Sequence, residues 1–105
     1  MVAEKLVRDL IPQIIRDSGT EPVFREYGSE EEYKRSLLAK LEEEVAELKA
    51  ADTDEKRAEE IADVLEVVDA IAYVFGIKTE DIERIKTKKF RERGGFFCGY
   101  ILKMD

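Results

Sequence analysis

The residues best suited to chemistry in this chain are acids. Glu43, Glu44 and Glu47 fall in one stretch, and Glu60 and Asp63 in the next. Glu44 and Glu47 are three apart, as are Glu60 and Asp63, a spacing that places both members of a pair on one helix face. Carboxylates crowded into a half-buried place repel one another unless protons or cations neutralise them. The chain has no histidine and a single cysteine, Cys98, which argues against a conventional zinc or copper site. An all-carboxylate set suits a hard cation, Mg2+ or Mn2+, which keeps several waters and also binds phosphates. One or two such ions could bridge the acids to a phosphate chain. Without histidine no Ser-His or Cys-His pair can be assembled, so water is the expected nucleophile.

The elements that would position these acids can be read from the hydrophobic pattern. Ser29, with Glu32 three residues later, forms a capping box for a long helix from about Glu30 to Ala51. Its apolar stripe is Leu37, Leu41, Val45 and Leu48. Asp52-Thr53-Asp54 is a tight connection in which Thr53 or Asp54 can cap the next helix, about Glu55 to Phe75, ended by Gly76. The stripe there is Ile61, Val64, Leu65, Val68, Ile71, Ala72 and Phe75. So short a connection predicts antiparallel packing, with Glu47 at the level of Glu60 and Glu44 at the level of Asp63. Each pair borders its apolar stripe, so four carboxylates converge. The alternative is a Glu-rich hairpin making surface salt bridges to Lys49, Lys56 and Arg57.

Around this hairpin, Leu6 to Asp17 reads as a short helix with Pro12 near its first turns, ended by Ser18-Gly19. Thr79 opens a last helix, about Glu80 to Arg93, closed by Gly94-Gly95. Val23 to Tyr27 has strand character, as does the tail FFCGYIL, and the two could pair as a small two-stranded β-ribbon. The expected fold is mainly α, an antiparallel helical bundle, in one domain spanning residues 1–105.

Charge is unevenly placed. The net charge of −7 argues against general nucleic-acid binding. Glu42 to Glu66 holds 11 acids and 3 bases, whereas Arg84 to Arg93 holds 6 bases and 1 acid. Lys86, Lys89 and Arg93 share a side with Ile82, and could line a phosphate pocket or simply snorkel along apolar surface. Lys5, Arg8 and Asp9 form a further polar set, read as substrate contacts or as a local ion pair at a helix start. Tyr33, Tyr73, Phe75, Phe96 and Phe97 suit core or interface better than base stacking. Hydrophobic residues make up 44% of the chain, too many for a disordered one. No run approaches about 20 apolar residues, the length of a membrane span. The opening MVAEKLVRDLIP mixes charge into its apolar residues, unlike a signal peptide. With the lone cysteine, this predicts a cytoplasmic protein.

Glu43-Glu44-Val-Ala-Glu47, 12 residues, then Glu60-Ile-Ala-Asp63 resembles the EExxE…ExxD signature of the all-α nucleoside triphosphate pyrophosphohydrolases. That superfamily includes MazG, dimeric dUTPases and phosphoribosyl-ATP pyrophosphohydrolase. The opening KLVRDLIPQII and the later KKFRERGGF look like a MazG-related, phosphoribosyl-ATP pyrophosphohydrolase-like branch. The resemblance covers nearly the whole chain. It implies that Glu44, Glu47, Glu60 and Asp63 ligate magnesium, that Glu43 orients a ligand or water, and that the protomers assemble as a homodimer or higher homo-oligomer.

The expected reaction is hydrolysis of a nucleoside triphosphate between its α- and β-phosphoryl groups, giving a monophosphate and pyrophosphate. Phosphoribosyl-ATP is the alternative substrate. A helical metal-binding interaction module without catalysis is the alternative of another class.

Overall fold

The computed structural model describes residues 4–104; the first three residues of MVAEKLVRDLIP lie outside that range. Proline sets where the first helix begins. Pro12 has no N–H to give and restricts the residue before it, so it fits only the first turn of a helix. Helix α1 accordingly spans Ile11–Asp17, and residues 4–10 form no helix, a correction to the expected start at Leu6.

Capping side chains set the two long helices. In α2, Glu30–Ala50, the Ser29 hydroxyl accepts the N–H of Glu32 at 3.1 Å. Glu32 reaches back to the N–H of Gly28 at 2.6 Å, one residue earlier than a standard capping box. Arg25 grips Glu32 and Glu4 together, at 2.9 Å to each, and its guanidinium is the main cause of a Glu32 pKa lowered to about 2. In α3, Asp54–Val74, Thr53 supplies the cap by accepting the N–H of Lys56 at 3.1 Å. Helix α4, Thr79–Arg93, begins one residue earlier than the sequence suggests and has no side-chain cap. Gly76 and Gly94, at φ +69° and +79°, follow α3 and α4 in a conformation that side chains with a Cβ resist.

Three residues, Ala51 to Thr53, join α2 to α3, and these two helices make the extensive helix–helix contact among the described residues. Their seam is narrower than the apolar stripes. Leu37 and Ala72 are buried and Leu41, Leu48, Val64, Val67 and Ile71 half-buried, while Ile61, Leu65 and Val68 face solvent. The Cα radius of gyration, 17.7 Å, exceeds the roughly 13 Å typical of a compact domain of about 100 residues.

The expected β-ribbon does not form: neither Val23 to Tyr27 nor the tail is a strand. Two short strands alone are marginal in water without a third strand or a helix beneath them. Other partners hold the first segment instead: Arg25 pairs with Glu4 and Glu32, and Tyr27 stacks on Tyr33 with ring centres 4.5 Å apart. In the tail, Phe96 and Phe97 are almost wholly exposed. No helix among the described residues is long and apolar enough to cross a membrane.

Candidate metal centre

The antiparallel hairpin brings the paired acids into two overlapping groups. Glu44, Glu60 and Asp63 each offer a carboxylate oxygen within 4.8 Å of the others. Glu43, Glu44 and Glu47 form the second group by the same measure. Glu44 belongs to both, and it is the most buried charged residue described, at 5% exposure. It sits two helical turns beyond Leu37 on the α2 face that meets α3, so the apolar seam carries this carboxylate inward.

Burial leaves two oxygens in an unusual state. Glu44 Oε2 and Glu60 Oε2 are shut off from solvent and have no hydrogen-bond partner. A buried carboxylate oxygen without a partner is costly, and a cation or a proton relieves it. Glu60 shows the proton solution: burial first, and then the carboxyls of Glu44 and Glu47, push its pKa up to about 7. The donor set consists of carboxylates alone, and it fits a hard divalent ion.

Cations of the chain approach the outer side of this cluster. Lys40 lies one turn before Glu44, and its Nζ is 3.3 Å from both Glu43 Oε1 and Glu44 Oε1. Nothing in the acidic signature singled out Lys40; its place on the Leu37–Glu44 face was the available signal. Arg8 donates to Asp63 Oδ1 at 2.6 Å across 55 residues of sequence. This bond is the main reason the Arg8 pKa is raised. Lys5 Nζ stands 3.8 Å from Glu43 Oε1. Lys5 and Arg8 therefore meet the acids of the hairpin and not a neighbouring helix start. The charge of Asp9 acts on Tyr33, though burial is the larger cause of that phenol's raised pKa.

Lys86, Lys89 and Arg93 are exposed on α4 and form no ion pair among the described residues. Ile82, on their side of the helix, is half-buried. A shallow hollow on the opposite side is lined by Glu83, Arg84, Thr87, Lys88, Arg91 and Glu92. Of the aromatics, Tyr33 is half-buried, Tyr73 is exposed, and Phe75 carries Lys34 Nζ 5.0 Å above its ring. Cys98 is a free, exposed thiol.

A protein from Mycolicibacterium smegmatis (strain ATCC 700084 / mc(2)155), described as uncharacterized, is 61% identical over 49 residues, 47% of this chain. The match spans 49% of that relative's length. No solved structure matches. The family model described as phosphoribosyl-ATP pyrophosphohydrolase matches residues 7–89, which take in both acidic pairs, Arg8, Lys40 and most of α4. The chain thus belongs to the phosphoribosyl-ATP pyrophosphohydrolase family.

Proposed function

We propose that this chain is a magnesium-dependent nucleotide pyrophosphohydrolase that splits a nucleoside triphosphate into a nucleoside monophosphate and pyrophosphate. The observation that carries this reading is the pair of buried, unpartnered oxygens, Glu44 Oε2 and Glu60 Oε2, within a group of carboxylates. Glu44, Glu47, Glu60 and Asp63 would hold Mg2+, or Mn2+ in its place. When bound, the ion would neutralise phosphate charge and act as a Lewis acid toward the phosphorus under attack.

The remaining work falls to the chain. Glu43 stands beside the ligands, in a position to orient the attacking water. Lys5 and Arg8 border the cluster and can contact the anionic substrate once it arrives. Lys86, Lys89 and Arg93 hold the diphosphate leaving group, which benefits from several cations at once. The exposed apolar residues of the hairpin and tail support a homodimer or larger assembly, since one protomer leaves Ile61, Leu65, Phe96, Phe97 and Tyr100 uncovered. Light scattering at micromolar concentration should give a mass of at least two chains.

The family assignment favours a second substrate, phosphoribosyl-ATP, cut by the same chemistry. A panel of nucleoside triphosphates and phosphoribosyl-ATP, assayed with Mg2+, tests both. The expected products are monophosphate and pyrophosphate in equal amounts. In ¹⁸O-water the label should enter the monophosphate, because water attacks the α-phosphorus directly. Orthophosphate as the first product would overturn the reading, and label in pyrophosphate alone would move the attack to the β-phosphorus.

A further inference from the structure

The carboxylates that face one another across the hairpin do not have all their oxygens free. Lys40 Nζ sits 3.3 Å from Glu44 Oε1, whereas Glu44 Oε2 is buried and unpartnered. The same ammonium lies 3.3 Å from Glu43 Oε1, so it spans two adjacent acids from one side. Only 16% of the Lys40 side chain is exposed, so solvent competes weakly for the pair. Arg8 does the same to Asp63, donating to Oδ1 at 2.6 Å, but with 58% of its side chain exposed.

Holding one oxygen of a carboxylate alters how that group can bind a cation. Mg2+ and Mn2+ are small and take octahedral sites, in which each carboxylate gives one oxygen. Ca2+ is larger, accepts 6 to 8 oxygens and is often bound by both oxygens of a carboxylate. A Glu44 whose Oε1 stays with an ammonium has only Oε2 to offer. The chain thereby places a half-buried positive charge next to its own ligand, which weakens attraction for every divalent ion. That cost is understandable if it restricts which ion fits.

We propose that Lys40 is a positioning residue that restricts Glu44 to one-oxygen ligation and so selects Mg2+ or Mn2+ against Ca2+. The proposal rests on the metal site described above and assigns its selectivity to a residue outside the ligand set. Arg8 acts in the same sense at Asp63, more weakly because solvent screens its charge.

The two classes of ion separate this role from simple electrostatics. Mg2+ and Ca2+ carry the same charge, so loss of the Lys40 charge alone strengthens both alike and leaves their affinity ratio unchanged. Release of Glu44 Oε1 favours Ca2+ only. The experiment is calorimetric titration of the full chain with MgCl2 and with CaCl2, without nucleotide, for wild type, Lys40→Met and Lys40→Arg. Lys40→Ala serves as a second neutral variant should Met disturb the fold, and helical circular dichroism confirms folding of each protein used. In the neutral variants the ratio of Ca2+ to Mg2+ affinity should rise about tenfold, equivalent to about 1.4 kcal/mol. Lys40→Arg, which restores a cation, should bring it back toward wild type. An unchanged ratio in the neutral variants overturns the role of Lys40 while leaving the metal site standing. If wild type binds neither ion, the metal site itself fails, and the selectivity proposal with it.

Discussion

The α2–α3 hairpin and the α4–tail region carry opposite charge and are completed to different degrees. In the hairpin, Ser29 and Thr53 cap the helix starts, three residues make the turn, and the seam delivers Glu44, Glu60 and Asp63 to one place. Its acids already meet cations of the same chain, Lys40 and Arg8. By contrast, α4 has no side-chain cap, and its cations Lys86, Lys89 and Arg93 face solvent without an ion-pair partner among the described residues. Beyond it Phe96, Phe97 and Tyr100 are nearly bare. A cation-binding cluster needs only two helices at a matched level. For α4 to hold phosphate, as proposed, something must press it against that cluster, and the described part of one protomer supplies little of that pressure.

Damage to the hairpin should cost most. Glu44→Gln or Asp63→Asn should lower kcat/KM by about a hundredfold or more, equivalent to about 2.7 kcal/mol of transition-state stabilisation. The same variants should lose the rise in melting temperature that Mg2+ gives the wild type. Turnover that survives Asp63→Asn undiminished would break the assignment of the site.

A smaller loss is expected on α4. Lys89→Ala or Arg93→Ala should reduce kcat/KM by about tenfold, or about 1.4 kcal/mol, in assays of pyrophosphate release. Stabilisation by Mg2+ in the absence of nucleotide should stay at the wild-type value. Should either variant abolish the magnesium response instead, the division between the two regions would collapse.

The mildest effect concerns pH. The pKa of Glu60 is raised in the fold, to about 7 from an ordinary value near 4.5. A raised carboxyl contributes stability that is fully present below about 4.5 and is lost as pH rises through about 7. The metal-free protein should therefore lose some stability across that window. Because the ion competes with the proton, stabilisation by Mg2+ should grow over the same range. Thermal melts from pH 5 to 8, with and without Mg2+, would show the two curves diverging, and Glu60→Gln should flatten both trends.

The hairpin was readable in advance because its signals are local. Serine and threonine caps, a tight connection and apolar spacing act within a few residues, so the sequence alone groups Glu44, Glu47, Glu60 and Asp63. The β-ribbon fails to form for the converse reason. Strand character in Val23 to Tyr27 says nothing about a partner, and here Arg25 and Tyr27 found partners at the start of α2 instead. The expectation that α1 starts at Leu6 gives too little weight to Pro12, which has no N–H to donate and fits only the first turn of a helix. Lys40 was missed because its importance depends on which oxygens of Glu43 and Glu44 it reaches.

What the chain determines by itself is therefore the set of four helices, the sign of charge on each, and the level at which two acidic pairs meet. These follow from periodicity, caps and a three-residue connection, all of them short-range. The tertiary structure decided which carboxylate would be the most buried, that two carboxylate oxygens would be left without partners, and that Arg8 would cross 55 residues to hold Asp63. Those outcomes depend on the separation of two packed helices and on where an N-terminal segment comes to lie. Neither is encoded by the spacing of residues along one element, since desolvation and ion pairing arise only when distant parts of the chain share the same space.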